Sequence, residues 1–229
     1  MNSHMMKTAL FNSLFCCAVL GLGGCASSQV DPGQYSGFLK DYSRLKPAQS
    51  ATGAPVMRWI DTDVKPGQYT QVFIEPSQFY PKPQPTAVVS TQVLQSISHY
   101  YDAALKRELG KDFQLAQAPG PGTIIVRPAI TAVATKNEGF QPYEILPIAL
   151  VASAVNSAAG GRDQEVEIAT EAAFLDGGNQ KVLAQVVRKG AGKSLENAKT
   201  QLTLDDVKPV LDGWASDMRL SYEKFKAGQ

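Results

Sequence analysis

Beyond residue 25 the chain carries a single histidine, His99, and a helix there would place Ser96 and Asp102 three residues to either side. Serine, histidine and an acid are the groups a hydrolase uses as nucleophile, base and orienting partner. Three neighbours on one exposed helical face nevertheless read as an ordinary polar surface, because no oxyanion hole or strained nucleophile turn accompanies them. Glu165, Glu167 and Glu171 could line one side of a strand at a spacing compatible with calcium, yet no EF-hand pattern is present and the row reads as solvated. Lys189 and Arg188 are expected to pair with that acidic row across a hairpin. Neither Gly160-Gly161 nor Gly177-Gly178 matches a phosphate loop, and APGPGT at 118–123 lacks the Lys-Ser/Thr of a Walker motif. Arg162 and Asp163, beside Gly160-Gly161, are the most site-like pair and read as a salt-bridged turn. No catalytic residue, metal or cofactor is expected, and the chain is read as non-enzymatic.

The residue with a definite chemistry is Cys25. It follows MKTALFNSLFCCAVLGLGG, with a basic start at Lys7, an apolar run over 9–22, and small residues leading directly into the thiol. That run fits a signal-peptide core and falls short of the ~20 apolar residues of a spanning helix. The arrangement resembles a lipobox, in which the thiol takes a diacylglycerol, the preceding peptide bond is cut, and the new amine is acylated. Each buried CH₂ of such chains contributes roughly 0.8 kcal/mol to anchoring. Residue 26 is alanine rather than aspartate, which resembles the sorting pattern for the outer membrane, on its periplasmic face. Residues 1–5, MNSHM, read as a cloning scar ahead of Met6. Cys16 and Cys17 leave with the signal, so no thiol remains for a disulfide or a zinc cluster.

The expected mature chain, from Cys25, is long enough for one domain. Cleavage removes one basic residue, Lys7, from the 22 in the chain, which leaves basic side chains balanced against the 21 acidic ones. A neutral domain lacks the electrostatic footprint of a nucleic-acid binder. Membrane attachment is therefore assigned to the acylated Cys25. Residues 25–34 read as a lipidated tether, whose nine residues after the cysteine reach at most roughly 30 Å, and residues 35–229 read as a single domain.

The elements follow from periodicity. Tyr35, Phe38, Tyr42 and Leu45 predict a short amphipathic helix ended by Pro47. Pro47, Pro55 and Pro66 make 46–67 read as irregular, pinned to the core by Trp59 and Ile60. QYTQVFIE at 68–75 reads as a strand and PKPQP at 81–85 as a stiff loop. Residues 90–109 predict a helix, with Leu94, Ile97, Tyr101, Leu105 and Leu109 on one stripe and Gly110 after its end. FQLAQ at 113–117 is a short strand or connection. Over 123–134 a β-branched strand contains Pro128, which places it at an edge or bends it. Residues 145–159, ILPIALVASAVNSAA, read as a buried helix or hairpin cover, with exposure for assembly as the sharper alternative. Residues 164–175 and 181–189 alternate as a hairpin around Asp176-Gly177-Gly178-Asn179. Val207, Leu211, Trp214, Met218, Tyr222 and Phe225 form the stripe of a last helix over 206–226, with Asp206 favoured over Thr203 as its N-cap because of Pro209. The sum is an α+β fold, a mainly antiparallel sheet of about four or five strands covered by two main amphipathic helices.

Three segments, FLKDYSRLKP (38–47), GGRDQEVEIATEAAFLDGGNQKVLAQVVRKGAG (160–192) and LTLDDVKPVLDGWASDMR (202–219), follow the lipobox in an order that resembles the bacterial lipoproteins of domain-of-unknown-function family 3313. The resemblance covers nearly all of the expected mature chain. It implies a Gram-negative envelope lipoprotein and carries over no catalytic or binding residue. Three roles are open. The first is a non-enzymatic assembly or interaction component with an envelope partner or a second copy, using a surface at Ile148, Val151, Val155, Arg162 and Asp163. The second is an accessory or carrier protein for a lipid or small apolar ligand, with 145–159 as a pocket wall. The third is a hydrolase acting on envelope material.

Overall fold

Alternating apolar residues and turn signals build one sheet, described in a computed structural model over residues 30–65, 67–137 and 164–228. Its strands are β1 (Lys46–Gln49), β2 (Pro55–Ile60), β3 (Gln71–Ile74), β4 (Gln78–Phe79), β5 (Gln114–Leu115), β6 (Thr123–Asn137), β7 (Gln164–Asp176) and β8 (Val182–Ala191). The spatial order is β1-β2-β8-β7-β6-β3-β5, and β4 also pairs with β6. Neighbours from β1 through to β6 run antiparallel, whereas β3 and β4 join β6 in parallel and β5 joins β3 in parallel. Helices α1 (Thr91–Leu109) and α2 (Leu204–Lys226) cover one face. The α+β class with two covering helices is therefore as read from the sequence, with eight strands in place of four or five.

The β7–β8 hairpin forms because Asp176 folds the turn onto itself: its Oδ1 accepts the N–H groups of Gly178 at 2.7 Å and Asn179 at 3.0 Å. Gly177 is required there, since a Cβ would stand 2.5 Å from the Gly120 carbonyl oxygen. Helix α1 starts at Ser90, whose hydroxyl accepts the Val93 N–H, and its stripe buries Leu94, Ile97, Tyr101, Leu105 and Leu109. Full burial of an aliphatic side chain of that size contributes roughly 1.5–3 kcal/mol. Ile97 and Leu105 pack with Val72 and Ile130 of the sheet and Val207 and Leu211 of α2 in one cluster.

Several expectations are corrected. The segment 46–67 contains the β1–β2 hairpin, because Pro47 lies on the outermost strand and Pro55 opens β2, the two places where a strand tolerates proline. Trp59 packs against the core as expected, while Ile60 is 37% exposed. No helix spans 35–45. Gly37 (φ 91°) and Lys40 (φ 63°) take left-handed backbone, which breaks a helix. The chain there is an irregular strap, and Leu39 and Leu45 are buried with Met57, Ile125, Leu175 and Val187 on the sheet face away from the helices. Val30 joins the same cluster, so ordered packing begins inside the stretch read as a tether.

β6 is an interior strand despite Pro128. The Val126 carbonyl accepts from Glu75 N–H and the Ile130 carbonyl from Tyr80 N–H, so residues 126, 128 and 130 face the same neighbours. β3 ends opposite Val126 and β4 begins opposite Ala129. The missing donor of Pro128 therefore falls in the break between two partner strands. α2 begins at Thr203 rather than Asp206: Asp206 lies one turn in and its carboxylate accepts from the Thr203 N–H at 2.8 Å and hydroxyl at 2.7 Å. The Asp206 carbonyl takes the Lys193 N–H. Gly192 permits this contact, for a Cβ there would lie 2.5 Å from that carbonyl oxygen.

The acidic row is not a solvated face. Glu167 and Glu171 are buried, and the strap covers Glu171. Glu171 accepts the Ser36 N–H at 2.8 Å and the Tyr42 hydroxyl at 2.6 Å, and the Tyr42 oxygen accepts in turn from the N–H groups of Gly37 and Leu39. Burial first, then the bond and charge of Glu171, push the Tyr42 hydroxyl up to about 12. Burial also raises Tyr69, Tyr100 and Tyr101. A tyrosine whose folded value exceeds its unfolded one, near ~10, contributes stability that is whole below that pH and is lost as pH climbs toward the folded value. The urea midpoint is expected to hold to about pH 9.5 and then fall between about pH 10 and 12. Tyr42→Phe should flatten part of that fall.

Candidate ligand cavity

Alternation along β2 sends Met57 and Trp59 toward the strap and Val56, Arg58 and Ile60 toward the helices. β8 continues that face, and the stripe of α2 runs past the packed core with Met218, Tyr222 and Phe225. Between them lies a cavity of about 130 Å³, whose apolar wall includes Val56, Leu183, Val186, Met218, Tyr222 and Phe225. An apolar cavity of roughly this size accepts a group as large as a benzene ring. The Tyr222 hydroxyl donates to the Tyr69 carbonyl at 3.2 Å and ties the helix end to the loop at the cavity wall.

The charges around it are uneven. Among the described residues Arg58, Lys65 and Arg188 line the cavity and no carboxylate does. Arg188 is buried beside Asp217, with Nη1 3.5 Å from Oδ2, and donates to the Trp214 carbonyl at 3.3 Å. Its Nε is buried without a hydrogen-bond partner. Burial pulls its pKa below that of an ordinary guanidinium, with Arg58 adding to the shift and Tyr101 and Asp217 opposing it. Asp217 also accepts the Thr52 N–H at 2.9 Å and hydroxyl at 3.0 Å, which fastens the β1–β2 turn to α2. The expected pairing of Arg188 with the acidic row is thus replaced by a partner on the opposite face.

The Ser96, His99 and Asp102 group is not assembled: the Ser96 hydroxyl donates to the Gln92 carbonyl of its own helix, and Asp102 accepts the Ser77 N–H. His99 is exposed. Among the described residues no cluster of three or more His, Cys, Asp or Glu could hold a metal, and no helix is long and apolar enough to cross a membrane. Cys25 and the surface proposed at Ile148, Val151, Val155, Arg162 and Asp163 lie outside the described residues, as does the whole 145–159 run. Sequence reasoning missed Arg58 and Lys65. The available signal was the period of two in Val56, Arg58 and Ile60, masked by the prolines on either side.

A sheet covered by two helices, with an apolar cavity under the end of the second, defines a small α+β domain, and the sequence comparisons define the chain further. The chain belongs to the DUF3313 family of proteins of unknown function, whose model matches residues 34–218, in agreement with the resemblance carried by the three segments above. It is 38% identical over 213 residues to "Uncharacterized lipoprotein YdcL" of Escherichia coli K12, covering 93% of this chain and 96% of that protein; the same figures hold for the protein of strain O157:H7. Among solved structures, the PelC dodecamer of Paraburkholderia phytofirmans is 9% identical over 72% of this chain and 95% of its own, with a TM-score of 0.37. CT253 of Chlamydia trachomatis is 11% identical over 70% and 92%, also with a TM-score of 0.37.

Proposed function

We propose that the protein is a non-enzymatic accessory lipoprotein, held by an acylated Cys25 on the periplasmic face of the outer membrane, whose domain binds a small apolar ligand. The observation that carries the binding role is the cavity between β2, β8 and the end of α2. Anchoring rests on the lipobox and on the likeness to the E. coli lipoprotein. The absence of a nucleophile, base and acid brought together among the described residues supports the non-enzymatic reading.

The test is native mass spectrometry of the full-length lipoprotein released gently from cells, which should show a small co-purified species. Ala184 lines the cavity, and Ala184→Phe should fill it. Overpacking of this kind costs the fold about 1–3 kcal/mol, and with the hollow filled ligand occupancy is expected to fall by roughly tenfold or more in a protein that still unfolds cooperatively. Equal occupancy in both proteins, or no bound species in either, overturns the binding role.

A further inference from the structure

Resting on the binding role just proposed, we infer that the ligand is an anionic amphiphile, with its apolar tail in the cavity and a carboxylate or phosphate head held by Arg58 and Lys65. Among the described residues neither side chain has an ion-pair partner, although both line the cavity. The half-buried Arg219 on the helix-covered side is matched by Glu108 at 3.3 Å and Glu223 at 2.6 Å. Arg58, half-buried at an apolar wall, lacks such a partner, and the exposed Lys65 adds a second positive charge at the same cavity.

The deeper wall points the same way. Among the described residues Arg188 has Asp217 as its one ion-pair partner, at a loose 3.5 Å, and Asp217 already receives two hydrogen bonds from Thr52. The unpartnered Nε of Arg188 leaves that guanidinium incompletely satisfied. Together with Arg58 the pair retains a net positive charge, which a buried or half-buried site favours filling with an anion. A neutral ligand would leave these charges as they are, and a cationic one would be repelled. The small cavity volume suits a short acyl segment or the end of a longer one, with the head at the rim, where Lys65 can reach it along its flexible stem.

The experiment uses the full-length protein in isolated outer membranes and three photoreactive probes that share a ten-carbon diazirine chain and end in a carboxylate, a hydroxyl or an ammonium group. The carboxylate probe should label cavity peptides containing Leu183, Met218 or Phe225 at the lowest concentration, and unmodified decanoate should compete with it. Inorganic phosphate should not compete, because the tail provides much of the binding. Arg58→Gln and Lys65→Gln should each raise the half-labelling concentration of the carboxylate probe roughly tenfold, in line with loss of a charge-assisted bond, while labelling by the hydroxyl probe stays unchanged and shows that the fold is intact. Equal labelling of the same peptides by all three probes, unaffected by either substitution, overturns the anionic head and leaves the apolar site standing. No labelling of the cavity by any probe overturns both readings.

Discussion

Asp217→Ala is expected to lower the stability of the domain by about 3 kcal/mol, near the lower end of what the loss of one partner from a buried ion pair costs. The lower end applies because Arg188 and Asp217 stand 3.5 Å apart and do not form a short bidentate pair. The loss has two components. Arg188 is left charged and buried with the Trp214 carbonyl as its remaining contact, and the Thr52 N–H and hydroxyl lose their acceptor. Equilibrium urea unfolding measures the change. The double variant Arg188→Met/Asp217→Leu separates the components, since replacing both charges with apolar groups of similar volume is often neutral or stabilising. A double variant as unstable as Asp217→Ala would show that the Thr52 bonds, and not the stranded arginine, carry the effect.

Glu171→Ala is expected to destabilise by about 3 kcal/mol, the sum of two charge-assisted hydrogen bonds at roughly 1.5 kcal/mol each. The lost bonds run to the Ser36 N–H and the Tyr42 hydroxyl, so the damage should be local before it is global. With its central acceptor gone, the strap should open ahead of the sheet. Trypsin sites at Lys40 and Arg44 should be cut many times faster, while β7 and α2 resist. Arg44 lies over the Trp59 ring at 3.7 Å, so indole fluorescence should change in the same transition. Glu171→Gln, which keeps an acceptor, should show a smaller effect; cleavage at the wild-type rate in Glu171→Ala would show that apolar packing of Leu39 and Leu45 holds the strap unaided.

The parts of the fold legible in the sequence are those in which a local signal and a tertiary role agree. Helix α1 has a stripe and a capping serine, and each does in the structure what its type suggests, while Gly110 follows the last turn in right-handed backbone. The β7–β8 hairpin is equally legible from alternation and its Asp-Gly-Gly-Asn turn. The strap was misread because aromatic residues at 3–4-residue spacing can also be the contacts of an irregular chain laid across a sheet. Glu167 and Glu171 were placed in solvent for the same reason: alternation assigns a side chain to a face but does not say what covers that face. The cavity illustrates this limit best. The stripe of α2 was read correctly to Phe225, yet nothing in its periodicity tells that β2 and β8 leave a hollow opposite its last turns, or that Arg58 stands at its edge.

The packing of Val30 among Ile125, Leu175 and Val187 sets a short leash. On the proposed anchoring, the five steps from Cys25 to Val30 extend to roughly 18 Å at most. The strap side of the domain is thereby kept nearest the bilayer, and the sheet stands as a partition between the leaflet and the hollow under α2. Cargo would then arrive from the aqueous side and not by climbing out of the membrane to which the protein is moored.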